Sequence, residues 1–69
     1  MTILYNLEFD EYKISSGSRT FRISFSNISF RYILEEIEPP CNDLLYIRDF
    51  LRLGTALEYL LSYEKGDLL

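Results

Sequence analysis

The chain has no histidine and only one cysteine among its 69 residues. Histidine is the most common general acid or base at neutral pH, and structural zinc sites need several cysteine or histidine ligands. The single cysteine, Cys41, cannot form a disulfide within the chain. These absences predict a protein that is not an enzyme and that holds no metal or cofactor.

Glycine is also scarce, and its three positions are far apart along the chain. A phosphate-binding loop needs several glycines close together after a strand, so none is expected here. Three acids that are close in the sequence, Glu35, Glu36 and Glu38, come just before Pro39 and Pro40. We expect these carboxylates to form a solvated surface that discourages aggregation, because nothing in the sequence indicates a pocket around them.

The net charge is −4 at pH 7, so the chain lacks the basic surface that binds nucleic-acid phosphates or anionic lipids. We therefore expect no direct nucleic-acid partner and no membrane partner. The N-terminus lacks the basic and apolar regions of a secretion signal, and the charged residues of the apolar stretch 44–61 would be costly in a bilayer. A cytoplasmic location is the expectation.

Alternation of apolar and polar residues predicts a hairpin at the start of the chain. The apolar phase slips by one residue at Asp10–Glu11, which we interpret as a β-bulge inside a single strand over residues 3–14. The segment Ser15–Ser18 has the composition of a turn. A four-residue loop there would pair Ile14 with Arg19 and bring the apolar residues of both strands onto one face.

Residues 28–37 fit either a strand or a helix, because their apolar residues follow both periods. A two-residue turn at Ser26–Asn27 would pair them with the preceding strand through aromatic and β-branched side chains. We favour a third strand, because three strands backed by a helix are stable where a two-stranded hairpin is marginal. The alternative is a ββαα arrangement in which residues 29–37 are helical.

The segment after the two prolines predicts a long amphipathic helix. Asn42 is a suitable N-cap and Gly66 a suitable C-terminal cap, while Gly54 allows a kink. The expected fold is therefore a single α+β domain over residues 1–69. It consists of an antiparallel three-stranded β-meander packed against one long C-terminal helix, in the order βββα. The face of the helix that covers the sheet is predicted to contain Tyr46, Ile47, Phe50, Leu53, Gly54, Leu57, Leu60 and Leu61.

Four residues of this predicted helix fall outside the face that would cover the sheet, namely Leu44, Leu45, Tyr59 and Tyr63. Tyrosine is enriched at protein interfaces because it combines apolar area with a hydrogen-bonding group. These four residues are therefore the predicted partner-binding surface. Arg22 and Arg31 would be cross-strand neighbours in the predicted sheet, and together they would suit a partner carboxylate.

These features predict a small acidic interaction module without enzyme activity. It would self-associate, with a dimer favoured, or bind and inhibit a larger protein partner through its C-terminal helix. An alternative is a phage- or mobile-element-type inhibitor that mimics the acidic backbone of nucleic acid and binds a basic protein. The weakest candidate is a nucleic-acid-binding helix-turn-helix around Gly54, because residues 56–63 contain no Arg, Lys, Asn or Gln to read base edges.

Overall fold

The computed structural model describes residues 1–64, with the backbone alone described at Glu64. Within them the chain forms a five-stranded antiparallel sheet followed by one helix. Each strand pairs with its neighbours in the sequence, which makes the sheet a simple meander. The elements are β1 (Thr2–Asn6), β2 (Glu11–Ser16), β3 (Arg19–Ser26), β4 (Arg31–Glu38), β5 (Asp43–Phe50) and α1 (Leu53–Glu64).

The chain is an α+β protein, but the three-stranded meander with one long helix is wrong. The first error concerns residues 3–14. The sequence predicts one bulged strand there, whereas the structure forms a hairpin of β1 and β2. The side chain of Asn6 accepts a hydrogen bond from the backbone N–H of Glu8 at 3.0 Å. Asp10 ends the loop at φ 48°, in the left-handed region that aspartate tolerates. The apolar phase slip is therefore caused by a four-residue loop over residues 7–10.

The second hairpin is where the sequence places it, but its loop is shorter. Ser16 pairs with Arg19, and Gly17 between them has φ 61°, which glycine adopts without strain. Ile14 therefore lies opposite Phe21 instead of Arg19.

The strand prediction for residues 28–37 is confirmed from Arg31 onward, and the helical alternative for residues 29–37 is wrong. The expected two-residue turn is also wrong, because a four-residue loop over residues 27–30 connects β3 to β4. The Ser26 side chain accepts hydrogen bonds from the N–H groups of Ile28 and Ser29, both at 3.3 Å. The N–H of Phe30 donates to the Ser26 carbonyl at 2.8 Å, which closes the loop.

The long helix is the largest error, because residues 43–50 form β5 and only residues 53–64 are helical. The outer edge of β4 has backbone groups that need hydrogen-bond partners, and β5 supplies them. This pairing outweighs the helical preference of the leucine-rich segment. The predicted helix-turn-helix around Gly54 is also wrong, because the first of its two helices is the strand β5.

Helix α1 packs on one face of the sheet, against β4 and β5. The core between them is made of apolar side chains alone, and β1 contributes none of them. All five residues of β1 are exposed, so this strand lies beside the core. The buried residues are Ile14, Phe21, Ile23, Leu34, Phe50, Ala56 and Leu60.

Candidate interaction surfaces

Tyr59 and Tyr63 lie on the face of α1 that contacts the sheet, so their predicted place outside that face is wrong. The Tyr59 ring is 5.2 Å from the ring of Phe50, and the Tyr63 ring meets the edge of Phe21 at 6.2 Å. The two tyrosine rings are stacked on each other at 6.3 Å. The predicted face excludes them because the prediction places residues 46, 47 and 50 in the same helix, whereas these residues belong to β5. These tyrosines are half-buried and contribute to the fold.

Two arginines cover the outer sides of these tyrosine rings. The Arg48 guanidinium lies 5.5 Å from the Tyr59 centroid, and the Arg19 guanidinium lies 5.1 Å from that of Tyr63. Arg19 also forms a two-bond pair with the Glu36 carboxylate, with its Nε and Nη2 donating at 3.0 and 2.8 Å. This pairing lowers the pKa of Glu36 and raises the pKa of Arg19 relative to their ordinary values.

The structure does not bring Arg22 and Arg31 together. Arg22 lies opposite Glu35 across the β3–β4 ladder and bonds to it at 2.8 Å, with Glu11 on its other side at 3.5 Å. Arg31 is paired with Asp49 at 3.3 Å. Each arginine is therefore neutralised by acids of its own chain, and a shared site for a partner carboxylate is not formed.

Leu44 and Leu45 are partly exposed, but on a strand instead of a helix. They are consecutive residues of β5, so their side chains point to opposite faces of the sheet. They consequently do not form one surface with each other or with the two tyrosines.

One end of the sheet has an apolar surface that the sequence pattern did not reveal. Loop 7–10 follows β1, loop 27–30 follows β3, and residues 51–52 follow β5, so the antiparallel order brings them to the same end. Their large apolar side chains are between 65% and 94% exposed. This surface, called the apolar end below, consists of Leu7, Phe9, Ile28, Phe30 and Leu51.

The loop that presents Phe30 stores backbone strain. Phe30 has φ 58°, a conformation that a bulky residue adopts at a cost of about 1–3 kcal/mol. Its ring meets the ring of Phe25 at 6.4 Å, and Phe25 packs in turn on Tyr32 at 5.1 Å. These contacts hold the Phe30 ring against β3 and β4, while most of its surface faces solvent.

A groove beside the apolar end contains three arginines. Arg31, Arg48 and Arg52 line it between the end of β5 and the start of α1, together with Asp49 and Glu58. Loop 7–10, at the opposite side of the same end, instead contains Glu8 and Asp10. The apolar end is thus flanked by two acids near β1 and, near β5, by a groove that contains three arginines and two acids.

Among residues 1–64, no three His, Cys, Asp or Glu side chains are placed together as a metal site would require. Within the same residues, α1 lacks the length and hydropathy needed to cross a membrane. Comparisons with protein-family models, with curated proteins and with solved structures find no match to this chain.

Proposed function

We propose that this chain is a protein–protein interaction module without enzyme activity, and that it binds a larger protein through the apolar end. The observation that supports the proposal is the exposure of five large apolar side chains on three connections at one end of the sheet. The same chain buries Ile14, Phe21, Ile23 and Leu34 completely, so its own core is closed. Clustered apolar surface on a small domain is typical of a binding site.

Two loops of the apolar end are supported by hydrogen bonds within the chain. One hydrogen bond to Asn6 supports loop 7–10, and two hydrogen bonds to the Ser26 side chain support loop 27–30. A surface that is already ordered loses less conformational entropy on binding. The strain at Phe30 supports the same role, since strained residues concentrate at functional sites.

The charges around the apolar end indicate the chemistry of the partner. A complementary partner would have an apolar pocket with a basic group near Glu8 and a carboxylate near Arg52. The alternative of an acidic mimic of nucleic acid receives less support. Glu11, Glu35, Glu36 and Asp49 are all paired with arginines of the chain, so they do not present free negative charge.

Site-specific photo-crosslinking in the native cells tests this function. A photoreactive phenylalanine analogue at Ile28, the most exposed residue of the apolar end, should form a covalent adduct with one partner protein. The matched control has the analogue at Leu61, which is partly exposed on α1. A Phe9→Ser/Phe30→Ser double substitution should remove the adduct at position 28. Equal adducts at positions 28 and 61, or an adduct that survives the double substitution, would refute the assignment.

A further inference from the structure

The two edge strands of the sheet differ in how they resist pairing with other chains. β5 contains Asp43, Arg48 and Asp49, and its register with β4 shifts at Leu34/Glu35. Charges and bulges of this kind are the usual protection of a sheet edge. β1 has the sequence TILYN, without a charge or a proline, and it pairs with β2 in an unbroken register of five residues. Among residues 1–64 no strand lies beyond β1 in the sheet, so its outer edge lacks these protections against pairing with another strand.

The side chains of β1 are also uncovered on both faces. Ile3 and Tyr5 lie opposite Ile14 and Tyr12, on the side of the sheet where α1 packs, but each is 47% exposed. Leu4 points to the other face, opposite Lys13, and is 62% exposed. An uncharged apolar strand with open backbone groups is a template for strand addition.

We propose that a second copy of this chain occupies the β1 edge, and that the two β1 strands pair antiparallel across a two-fold axis at Leu4. The result is a continuous ten-stranded sheet with α1 of both copies on the same side. An isologous contact of this kind closes the assembly at two copies, because each β1 edge is used once.

The sequence of β1 is complementary to itself in this register. Leu4 of one copy faces Leu4 of the other, and Ile3 of each copy faces Tyr5 of the other. Such pairs of β-branched and aromatic residues are favourable across antiparallel strands. Thr2 then faces Asn6, so all five residues are paired and no charged residue faces another. This match to itself is the reason for choosing a second copy over a strand from a different protein.

The side of the sheet occupied by α1 gains a shared apolar contact in the dimer. The rings of Tyr5 and Tyr12 already pack together at 4.8 Å, and Ile3 is beside them on β1. Antiparallel pairing would join this group to its copy across the two-fold axis. The two apolar ends would point in opposite directions, so dimer formation leaves both of them accessible and does not depend on the function proposed above.

Analytical ultracentrifugation of the intact chain tests the dimer. The wild type should show a monomer–dimer equilibrium, and Leu4→Glu should weaken it by about tenfold or more because two carboxylates would then face each other. Within one copy the new carboxylate lies opposite Lys13, so the fold is retained. The matched control is Leu44→Glu on β5, which should dimerise like the wild type. A wild type that remains monomeric up to about 1 mM overturns the proposal, as does a Leu44→Glu variant that dissociates while Leu4→Glu does not.

Disulfide cross-linking tests the register, in a Cys41→Ser background and with oxidised glutathione as the oxidant. Facing residues of antiparallel strands have Cα atoms about 4.5–5.5 Å apart, which a disulfide can span. Leu4→Cys should therefore cross-link two copies, whereas Thr2→Cys, on the same strand and face, should not. Cross-linking at position 2 that equals or exceeds that at position 4 overturns the register. The Phe9→Ser/Phe30→Ser variant should dimerise normally, which separates failure of the dimer from failure of the apolar end.

Discussion

The guanidinium of Arg19 lies 5.1 Å from the ring centroid of Tyr63 and connects the β2–β3 hairpin to α1. The same group lies 5.1 Å from the Phe21 ring and forms two hydrogen bonds with Glu36. A single side chain therefore joins β3, β4 and the helix. This junction adds to the packing of Ala56 and Leu60 of α1 in the core that they share with the sheet.

We expect Arg19→Lys to lower the free energy of unfolding by about 1 kcal/mol. Lysine keeps the charge, but it lacks the planar group that stacks on Tyr63 and binds both oxygens of Glu36. Urea denaturation followed by circular dichroism measures the change. Arg31→Lys is the control, because Arg31 makes one exposed ion pair and should change stability by less than about 0.5 kcal/mol. Equal losses in the two variants would show that the stacking on Tyr63 contributes nothing.

The Arg19–Glu36 pair should also make stability depend on pH. Because Arg19 lowers the pKa of Glu36 in the folded state, the unfolded chain binds more protons than the folded one between the two pKa values. The ion pair's contribution to the free energy of unfolding is fully present above the ordinary glutamate pKa. It is lost as the pH falls through the lowered pKa of Glu36. Glu36→Gln should remove it, so the difference in unfolding free energy between wild type and variant should shrink from about pH 6 to about pH 3. A difference in unfolding free energy that does not change with pH would contradict the lowering of the Glu36 pKa by Arg19.

Two adjacent leucines of α1 should respond very differently to truncation. Leu60 is fully buried, and Leu60→Ala should cost about 2–4 kcal/mol, which is a large part of the stability of so small a domain. Leu61 is 47% exposed, and Leu61→Ala should change stability by about 0.5 kcal/mol at most. Thermal unfolding of both variants measures the contrast. Similar losses at the two positions would mean that the orientation of the helix on the sheet is different.

Phe30→Asn should stabilise the fold while weakening partner binding. Asparagine tolerates φ 58°, so the substitution relieves strain and should raise the free energy of unfolding by about 0.5–1 kcal/mol. It also removes an aromatic ring from the apolar end, so less adduct should form in the crosslinking experiment. Ile28→Asn in the same loop is the control, since Ile28 has no positive φ to relieve and should give no gain in stability. A Phe30→Asn variant that is less stable than wild type would show that the Phe25–Phe30 contact outweighs the strain.

The alternation of apolar and polar residues is enough to predict several strands, but it does not show where the helix begins. Alternation identified β3, and the strand preference for residues 28–37 is correct from Arg31 onward. The cross-strand pairs that supported this preference are wrong, because Phe25 faces Tyr32 instead of Ile28. The run Leu44–Ile47 is apolar without a clear period, so only the need of β4 for a partner strand decides that it is extended. Because the predicted helix includes residues 46, 47 and 50 of β5, its sheet-facing side excludes Tyr59 and Tyr63.

The apolar end could not be read from the sequence for a different reason. Leu7 and Phe9 are separated from Ile28 and Phe30 by two strands, and they share a surface only because the strand order is a meander. The local signal was present in Asn6 and Asp10, two turn-forming residues on either side of Leu7 and Phe9. Reading them as a turn would have predicted the first loop, but the arrangement of the loops follows from tertiary structure alone.

The neighbour-to-neighbour order of the strands also has a consequence for how quickly the protein folds. Every strand pair joins segments that are separated by one short connection, so each step of sheet formation closes a small loop. Chains dominated by such local contacts have low contact order and fold faster than β proteins that pair distant segments. The sheet can assemble hairpin by hairpin in the direction of synthesis, and α1, the last of the described elements to leave the ribosome, then covers a face that is already formed.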